Sequence, residues 1–420
     1  MNRPDDFAVD VLRLTLAPGI GPVLIGRLIE AFGSPAKVLA AQPASLRTVR
    51  GIGPERAAGV CKGLREGEKA LEAELHEIAR RGVMLLARGT AAYPPLLAQM
   101  QDAPPLLYVR GRIDSEERGP DRHTCAIVGS RKCTQYGLEQ ADRFAIALAG
   151  AGITVVSGGA RGIDTAAHRA ALKAGGRTIA VLGCGLSNAY PPDNADLFEQ
   201  IAGEDGGHGA VVSELPMTTP PTAENFPARN RIIAGLSLGV LVIEASAGSG
   251  ALITAEQMND LGREVFALPG RVDSSSSEGS LKLLKEGSAA LVTNPGDVLS
   301  GLEAPALHAF NGAHAARYPA KAGETREGNG AGLFAPASDD PLSLRGDSPS
   351  ANGETAPAAP IGLSASQQKI YAALEEPATF DDLVRLTGGD PGVMRGDLTV
   401  LEIRRLVKRD GSILRRAARK

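Results

Sequence analysis

At 420 residues, 43% hydrophobic and 22% charged, the chain is long enough for about three domains with sizeable cores and wrong in composition for a wholly disordered protein. Lys and Arg number 45 against 48 Asp and Glu, a net charge of −3, which excludes a uniformly basic nucleic-acid coat but leaves room for a local basic groove. There is no run of about 18 apolar residues, MNRPDDFAVD lacks the apolar core of a signal peptide, and Cys61, Cys125, Cys133 and Cys184 show no CxxC spacing, so a soluble, cytosolic chain is expected, without membrane contact, zinc knuckle or disulfide framework.

Residues 1–82 read as helical. Two turns repeat there, Gly19-Ile20-Gly21-Pro22 before VLIGRLIEAFG and Gly51-Ile52-Gly53-Pro54 before ERAAGVCKGL. Each is a hairpin leading into a helix, with proline preset for the first helical turn. Val23, Leu24, Leu28 and Ile29 share one face of the first of these helices, and a long helix over roughly Gly67–Arg80 follows. The pattern resembles the helix-hairpin-helix (SAM-like) module, in which hairpin amides and a helix N-terminus hold a DNA phosphate without reading sequence. The alternative is an all-helical packing domain whose glycines only turn corners, and two short turns by themselves favour it.

Residues 83–302 form the second region. From Cys125 to Val292 the period changes to short apolar runs: Cys125-AIV-Gly129, Ile153-TVVS-Gly158, Thr178-IAVL-Gly183, Gly209-AVVS-Glu214, Gly239-VLVIE-Ala245, Glu264-VFALP-Gly270 and Ala289-AL-Val292. They are continuous rather than alternating, as parallel strands buried on both faces are. Amphipathic stretches such as Gln140–Ala149 and Thr165–Lys173 lie between most of them. This predicts the α/β class, a Rossmann-like, doubly wound, mostly parallel sheet. Its ligand site belongs in the turns beyond the strand carboxyl ends.

Five such turns carry candidate chemistry. Gly129-Ser130-Arg131-Lys132 offers backbone N–H groups, a hydroxyl and a guanidinium fork to an anionic oxygen. It matches neither GxGxxG nor GxxxxGK[ST], so no dinucleotide or nucleoside-triphosphate cofactor is expected. In Ser157-Gly158-Gly159-Ala160-Arg161-Gly162-Ile163-Asp164, glycines such as Gly158 admit close backbone approach and Arg161 adds charge. Asp164 and His168 are neighbours on one helical face; a helix cap beside a satisfied histidine is preferred to an acid/base pair. Cys184, between Gly183 and Gly185 ahead of Tyr190-Pro191-Pro192-Asp193-Asn194, reads as a small residue in a crowded turn rather than a nucleophile. Phe226-Pro227-Ala228-Arg229-Asn230-Arg231 sets an aromatic before two arginines at a helix start, so that a base can stack while guanidiniums take phosphates. Glu244-Ala245-Ser246-Ala247-Gly248-Ser249-Gly250 is another strand–glycine turn–helix, with Ser249 and Gly250 suited to a phosphate. Pro269-Gly270 and Ser274–Ser277 close the same rim.

Taken in order, GSR, SGGARGIDTAAH, TIAVLGCGL with YPP and Asn194, Ser213-Glu214 with Pro216, FPARNRIIAGLS and SGALITA resemble the DNA-processing protein A (DprA/Smf) family from about Tyr93, through Asp102-APPLLYVRG, to about Asn294. The resemblance implies a Rossmann-like binder of single-stranded DNA without catalysis. It also implies a homodimer that protects incoming DNA during natural transformation and loads the RecA recombinase. On it, Arg131, Phe226, Arg229, Asn230 and Arg231 belong to the DNA groove. Gly159 stands where a bulkier apolar residue is expected, and Pro220–Asn225 contains Glu224 and no Lys or Arg.

Residues 303–360 are rich in Ala, Pro, Gly and Ser, with four basic and seven acidic residues over Glu303–Pro360, and are expected to be a disordered linker. Residues 361–420 then read as winged-helix-like. Leu363–Leu374 is a helix, Thr379-FDDLVRLTG a capped second, Pro391–Leu406 a third, and Val407–Leu414 a β-wing. Eight basic residues and one acidic residue fall between Ile403 and Lys420. Such a unit either binds phosphate or docks protein, and the sequence leaves that choice open. Two other functions compete. SGSGALITAE resembles a phosphoribohydrolase turn, with Glu244 or Glu256 as the carboxylate, although the leading PGG is missing and Ala251 replaces Thr. A double-strand regulator would act through the winged helix instead.

Overall fold

In the computed structural model the described residues are 5–115, 119–203, 208–303 and, towards the C-terminus, 365–374, 376–388, 394, 397–398, 401, 406–410 and 413–416. They fall into two compact units, one on each side of Tyr318–Pro319. The expected linker, beyond Glu303, lies outside the described residues.

The first unit opens with α1 (Asp6–Thr15), α2 (Pro22–Phe32), α3 (Pro35–Leu39), α4 (Pro43–Leu46) and α5 (Pro54–Arg80). Pro22 and Pro54 each occupy the first helical turn, after extended Gly21 and Gly53. The separate helix expected over Gly67–Arg80 is corrected. ERAAGVCKGL and that segment form one helix of 27 residues, because no proline or left-handed glycine interrupts them. On α2 the buried face is Leu24, Ile25 and Leu28, while Val23 turns outward at 41% exposure.

Two glycines inside α5 let the loop after α1 lie directly on the helix. A Cβ on Gly63 would stand 2.6 Å from the Pro18 carbonyl oxygen, and one on Gly67 would stand 2.9 Å from the Leu16 carbonyl carbon. In an exposed helix interior, Gly→Ala stabilises by about 1 kcal/mol. Here the sign reverses: Gly63→Ala is expected to cost about 1–3 kcal/mol through overpacking. The urea midpoint checks it, since a rise would contradict the close approach. Further along, Val11 and Leu12 of α1 and Leu71 and Ile78 of α5 pack with Tyr108, Leu182 and Phe198, so helices and sheet share one core. The Met217 N–H donates to Glu74 at 2.7 Å, closing that seam.

The sheet is built from β1 (Met84–Ala87), β2 (Leu106–Gly111), β3 (Thr124–Val128), β4 (Thr154–Ser157), β5 (Thr178–Val181), β6 (Gly209–Ser213), β7 (Gly239–Val242), β8 (Glu264–Ala267) and β9 (Ala290–Leu291), in the order β1-β2-β6-β5-β4-β3-β7-β8-β9. All seven expected strands are present and run parallel. The period did not mark β1 and β2, which add an antiparallel edge. Between strands lie α6 (Pro95–Ala98), α7 (Gln135–Gly150), α8 (Ile163–Lys173), α9 (Ala195–Ala202), α10 (Asn225–Gly235), α11 (Gly250–Asp260) and α12 (Glu278–Lys285), and α13 (295–303) follows β9. The uninterrupted apolar runs now have their cause, since successive residues enter different cores. Ala210 and Val212 pack with Ile232 and Met258 on one face, and Val211 packs with Leu197 and Phe198 on the other. Chain order reverses between β3 and β7, so their connections diverge and leave a crevice.

The second unit contains α14 (Ala365–Ala373), β10 (Ala378–Thr379), α15 (Phe380–Thr387), β11 (Val407–Asp410) and β12 (Ile413–Arg416), with strand order β10-β12-β11. Thr379 and Asp382 form the capping box of α15. Met394, Leu398 and Leu401, helical in spacing, close a core with Ile370, Leu383, Val407 and Leu414. This is the winged-helix pattern, with β11 and β12 as the wing. One of its basic residues is already engaged. Arg416 lies 4.6 Å from the Tyr371 ring centroid and donates to the carbonyls of Tyr371 and Ala372. Arg404, Arg405, Arg419 and Lys420 lie outside the described residues. Among the described residues, no helix is long and apolar enough to cross a membrane.

Candidate nucleic-acid interface

At the crevice between β3 and β7 the turns after these strands meet the start of α10 around a cleft of about 760 Å3. Gly129, Ser130, Arg131, Lys132, Phe226, Arg229, Asn230, Ser249 and Gly250 all line it, with Tyr190 and Asp164. Gly158 and Arg161 do not, and neither does Arg231.

The first turn is fixed by its backbone. Ser130 N–H donates to the Glu244 carbonyl oxygen at 2.8 Å, and Ser130 Oγ accepts from Lys132 N–H at 3.1 Å. Glycine is required at 129, where a Cβ would stand 2.6 Å from Ile163. The turn delivers Arg131 and Lys132 to the surface, both exposed. Arg131 lies over the half-buried Phe226, its guanidinium carbon 5.1 Å from the ring centroid. Tyr190 adds a second ring, tilted 38° at 5.5 Å between centroids. The sequence pattern gives Tyr190 no role by itself; its signal is an aromatic in a glycine turn, in a chain with no Trp and six Tyr. On the opposite wall Ser249 caps α11, its Oγ accepting from Ala251 N–H, and Asn230 Nδ2 donates to the Gly250 carbonyl oxygen at 3.1 Å. A helix N-terminus thus faces the cleft.

Two of the expected phosphate ligands, Arg229 and Arg231, are engaged within the protein. Arg229 is only 5% exposed, and its guanidinium donates to the carbonyl oxygens of Gly158 and Val181. Burial lowers its pKa to about 10, while the buried Asp164 carboxylate opposes that fall. It is therefore a floor beam rather than a free cation, and Gly158 is glycine because a Cβ would meet that guanidinium at 2.6 Å. Arg231 lies on another side of α10, because residues 226, 229, 230 and 233 share the cleft face at helical spacing. Its guanidinium binds Glu214 and the Asp102 carbonyl. Arg161 extends outward, held by Asp193 at 2.6 Å, and opens onto a neighbouring hollow.

The other candidates resolve as packing. Phe198 occupies the space beside Gly159, where an added Cβ would stand 2.9 Å from its ring. The thiol of Cys184 donates to the Asn188 carbonyl oxygen, and burial pushes its pKa up to about 11. Glu244 is 3% exposed and accepts from Thr134 N–H at 2.9 Å and Thr134 Oγ1 at 2.6 Å, anchoring the start of α7. Glu256 is exposed on α11 and does not line the cleft. Asp164 lies in the first turn of α8, accepts from Ala160 N–H, and has its pKa raised by burial against the pull of Arg229.

His168 is fully buried, its Nδ1 2.7 Å from Thr178 Oγ1, and burial lowers its pKa to about 3. Thr178 Oγ1 donates to the Val155 carbonyl oxygen, so Nδ1 carries the proton. A histidine whose folded pKa lies below its unfolded value contributes stability that is lost as pH falls from about 6.5 towards 3. His168→Gln is expected to flatten the acid decline of the urea midpoint over that window. An unchanged slope would contradict a neutral buried ring.

The chain matches three family models: DNA recombination-mediator protein A over residues 84–303, a SAM-like helix-hairpin-helix tandem over 11–66, and the DprA winged helix domain over 354–411. It is 37% identical to Protein Smf of Synechocystis sp. over 394 residues, covering 93% of this chain and 94% of the relative. It is 44% identical to DNA processing protein DprA of Streptococcus pneumoniae over 211 residues, or 50% of this chain and 71% of that one. The X-ray structure of the pneumococcal DNA processing protein A superposes with a TM-score of 0.59 at 33% identity, covering 71% of this chain and 98% of that chain. With its mixed-edge Rossmann sheet, helical start and winged C-terminal unit, the chain belongs to the DNA recombination-mediator protein A family, the DprA/Smf proteins.

Proposed function

We propose that this chain binds single-stranded DNA in the cleft between β3 and β7 and acts as a recombination mediator without catalysing a reaction. The observation that carries this reading is the exposed Arg131 guanidinium stacked on Phe226, with Tyr190 alongside, at the mouth of a cleft bordered by a helix N-terminus. An unpaired base has faces to stack on such rings, whereas a duplex keeps its bases stacked on each other. Arg131, Lys132 and the amides near Ser249 and Gly250 suit the backbone phosphates. Membership in a recombination-mediator family supports the finer reading: a homodimer that protects incoming DNA and loads the RecA recombinase during natural transformation.

The hydrolase reading loses its carboxylates, since Glu244 is tied to Thr134 and Glu256 does not line the cleft. Residues 1–82, 83–302 and 361–420 are taken as separate functional regions, with the DNA cleft in the second. Fluorescence anisotropy tests this. Chain lacking residues 361–420 is expected to keep most of its affinity for a single-stranded oligonucleotide and to prefer it to duplex. Loss of binding on that deletion would move the DNA site to the winged unit.

A further inference from the structure

We propose that the hollow beside the cleft is a second anion site, a shelf for the backbone phosphates of the strand as it leaves the cleft. This rests on the single-strand reading of the cleft and extends it. The hollow, about 410 Å3, lies between the β3–α7 turn and α8. Arg131 and Lys132 line both cavities, so they form the ridge between them. Beyond the ridge stand Arg161 and Arg169, with Asp193 as the acidic residue of the lining. Four cations against one carboxylate make a local charge of +3 in a chain whose net charge is −3.

The lining specifies what the shelf takes. No aromatic ring borders it, so it offers nothing for a base to stack on. Arg169 is exposed one helical turn beyond Thr165 on α8, and no carboxylate pairs with it among the described residues. Arg161 is paired with Asp193, but both side chains are more than half exposed, and such a pair contributes little. A phosphate oxygen therefore displaces Asp193 from Arg161 at small cost, while Arg169 receives the next phosphate along the helix. The cleft holds bases and the shelf holds backbone.

The test measures binding of oligothymidylates of about 4 and about 16 nucleotides, the shorter filling the cleft alone, to full-length wild type, Arg169→Ala and Asp193→Asn. Arg169→Ala is expected to weaken the longer oligonucleotide several-fold and to lower its salt slope by about 0.7, the loss of one phosphate contact. It leaves the shorter oligonucleotide unaffected. Asp193→Asn is expected to tighten the longer one only, because it frees Arg161. Both substitutions are at the surface, so folding is not at issue. If wild type binds both oligonucleotides and neither variant moves the longer one, the shelf is overturned and the cleft stands. Equal weakening of both lengths by Arg169→Ala would also overturn it. If wild type binds neither, the single-strand reading falls and takes the shelf with it.

Discussion

Replacing Arg131 and Phe226 together by alanine is expected to lower the affinity for single-stranded DNA by about 100-fold, with the fold intact. Base stacking on an aromatic ring contributes about 1–3 kcal/mol, and every 1.4 kcal/mol is about tenfold in affinity. The two effects will not simply add. Arg131 rests on the ring at 5.1 Å, so deleting Phe226 also removes the support that holds the guanidinium in place. Phe226→Leu separates stacking from packing. It keeps an apolar group beside Gly183, where the ring now sits, but offers no π face. Phe226→Leu is expected to bind nearly as poorly as Phe226→Ala, and Phe226→Tyr nearly as well as wild type. Binding by Phe226→Leu equal to wild type would make the ring a core plug. Anisotropy titrations at fixed salt decide between them.

Arg229→Ala is expected to act in the opposite way, through stability first. The guanidinium is buried between the carbonyls of Gly158 and Val181 and beside Asp164. Removing it leaves two carbonyl oxygens without that donor and a buried carboxylate without its cation. Leaving a buried charge uncompensated in this way costs about 3–5 kcal/mol. Asp164→Asn in the same background is expected to recover part of the loss, since the uncompensated charge goes with it. Urea denaturation of the two single variants and the double variant gives the coupling directly. A normal midpoint for Arg229→Ala combined with weakened DNA binding would restore Arg229 as a direct phosphate ligand.

Why the strands were readable and some ligands were not follows from what periodicity encodes. Runs such as Ala126–Val128 and Val240–Val242 are apolar throughout because both sheet faces are covered, and no exposed strand would keep that pattern. β1 and β2 escaped because MLLA is short and LLYVRG follows two prolines, so neither shows a full period between helices. The glycine turns were legible because close contacts demand them: a Cβ on Gly129 would stand 2.6 Å from Ile163. The roles inside FPARNR were less legible. Phe226, Arg229 and Asn230 share one face of α10 while Arg231 meets Glu214, and this depends on where Asp102 and Glu214 come to lie. An arginine in a motif is thus read as a phosphate ligand until the fold supplies its carbonyls or carboxylates. Tyr190 is illegible for the converse reason, since the ring it meets across the rim, Phe226, belongs to a distant segment.

The most direct measurement is the salt dependence of single-strand binding by wild type and Arg131→Ala. Each phosphate held by a cation adds about 0.7 to the magnitude of the slope of log K against log salt. If the cleft grips the strand through this turn, the slope in Arg131→Ala is shallower by about that amount and affinity falls most at low salt. A slope and affinity identical to wild type would mean that the strand is held elsewhere on the molecule.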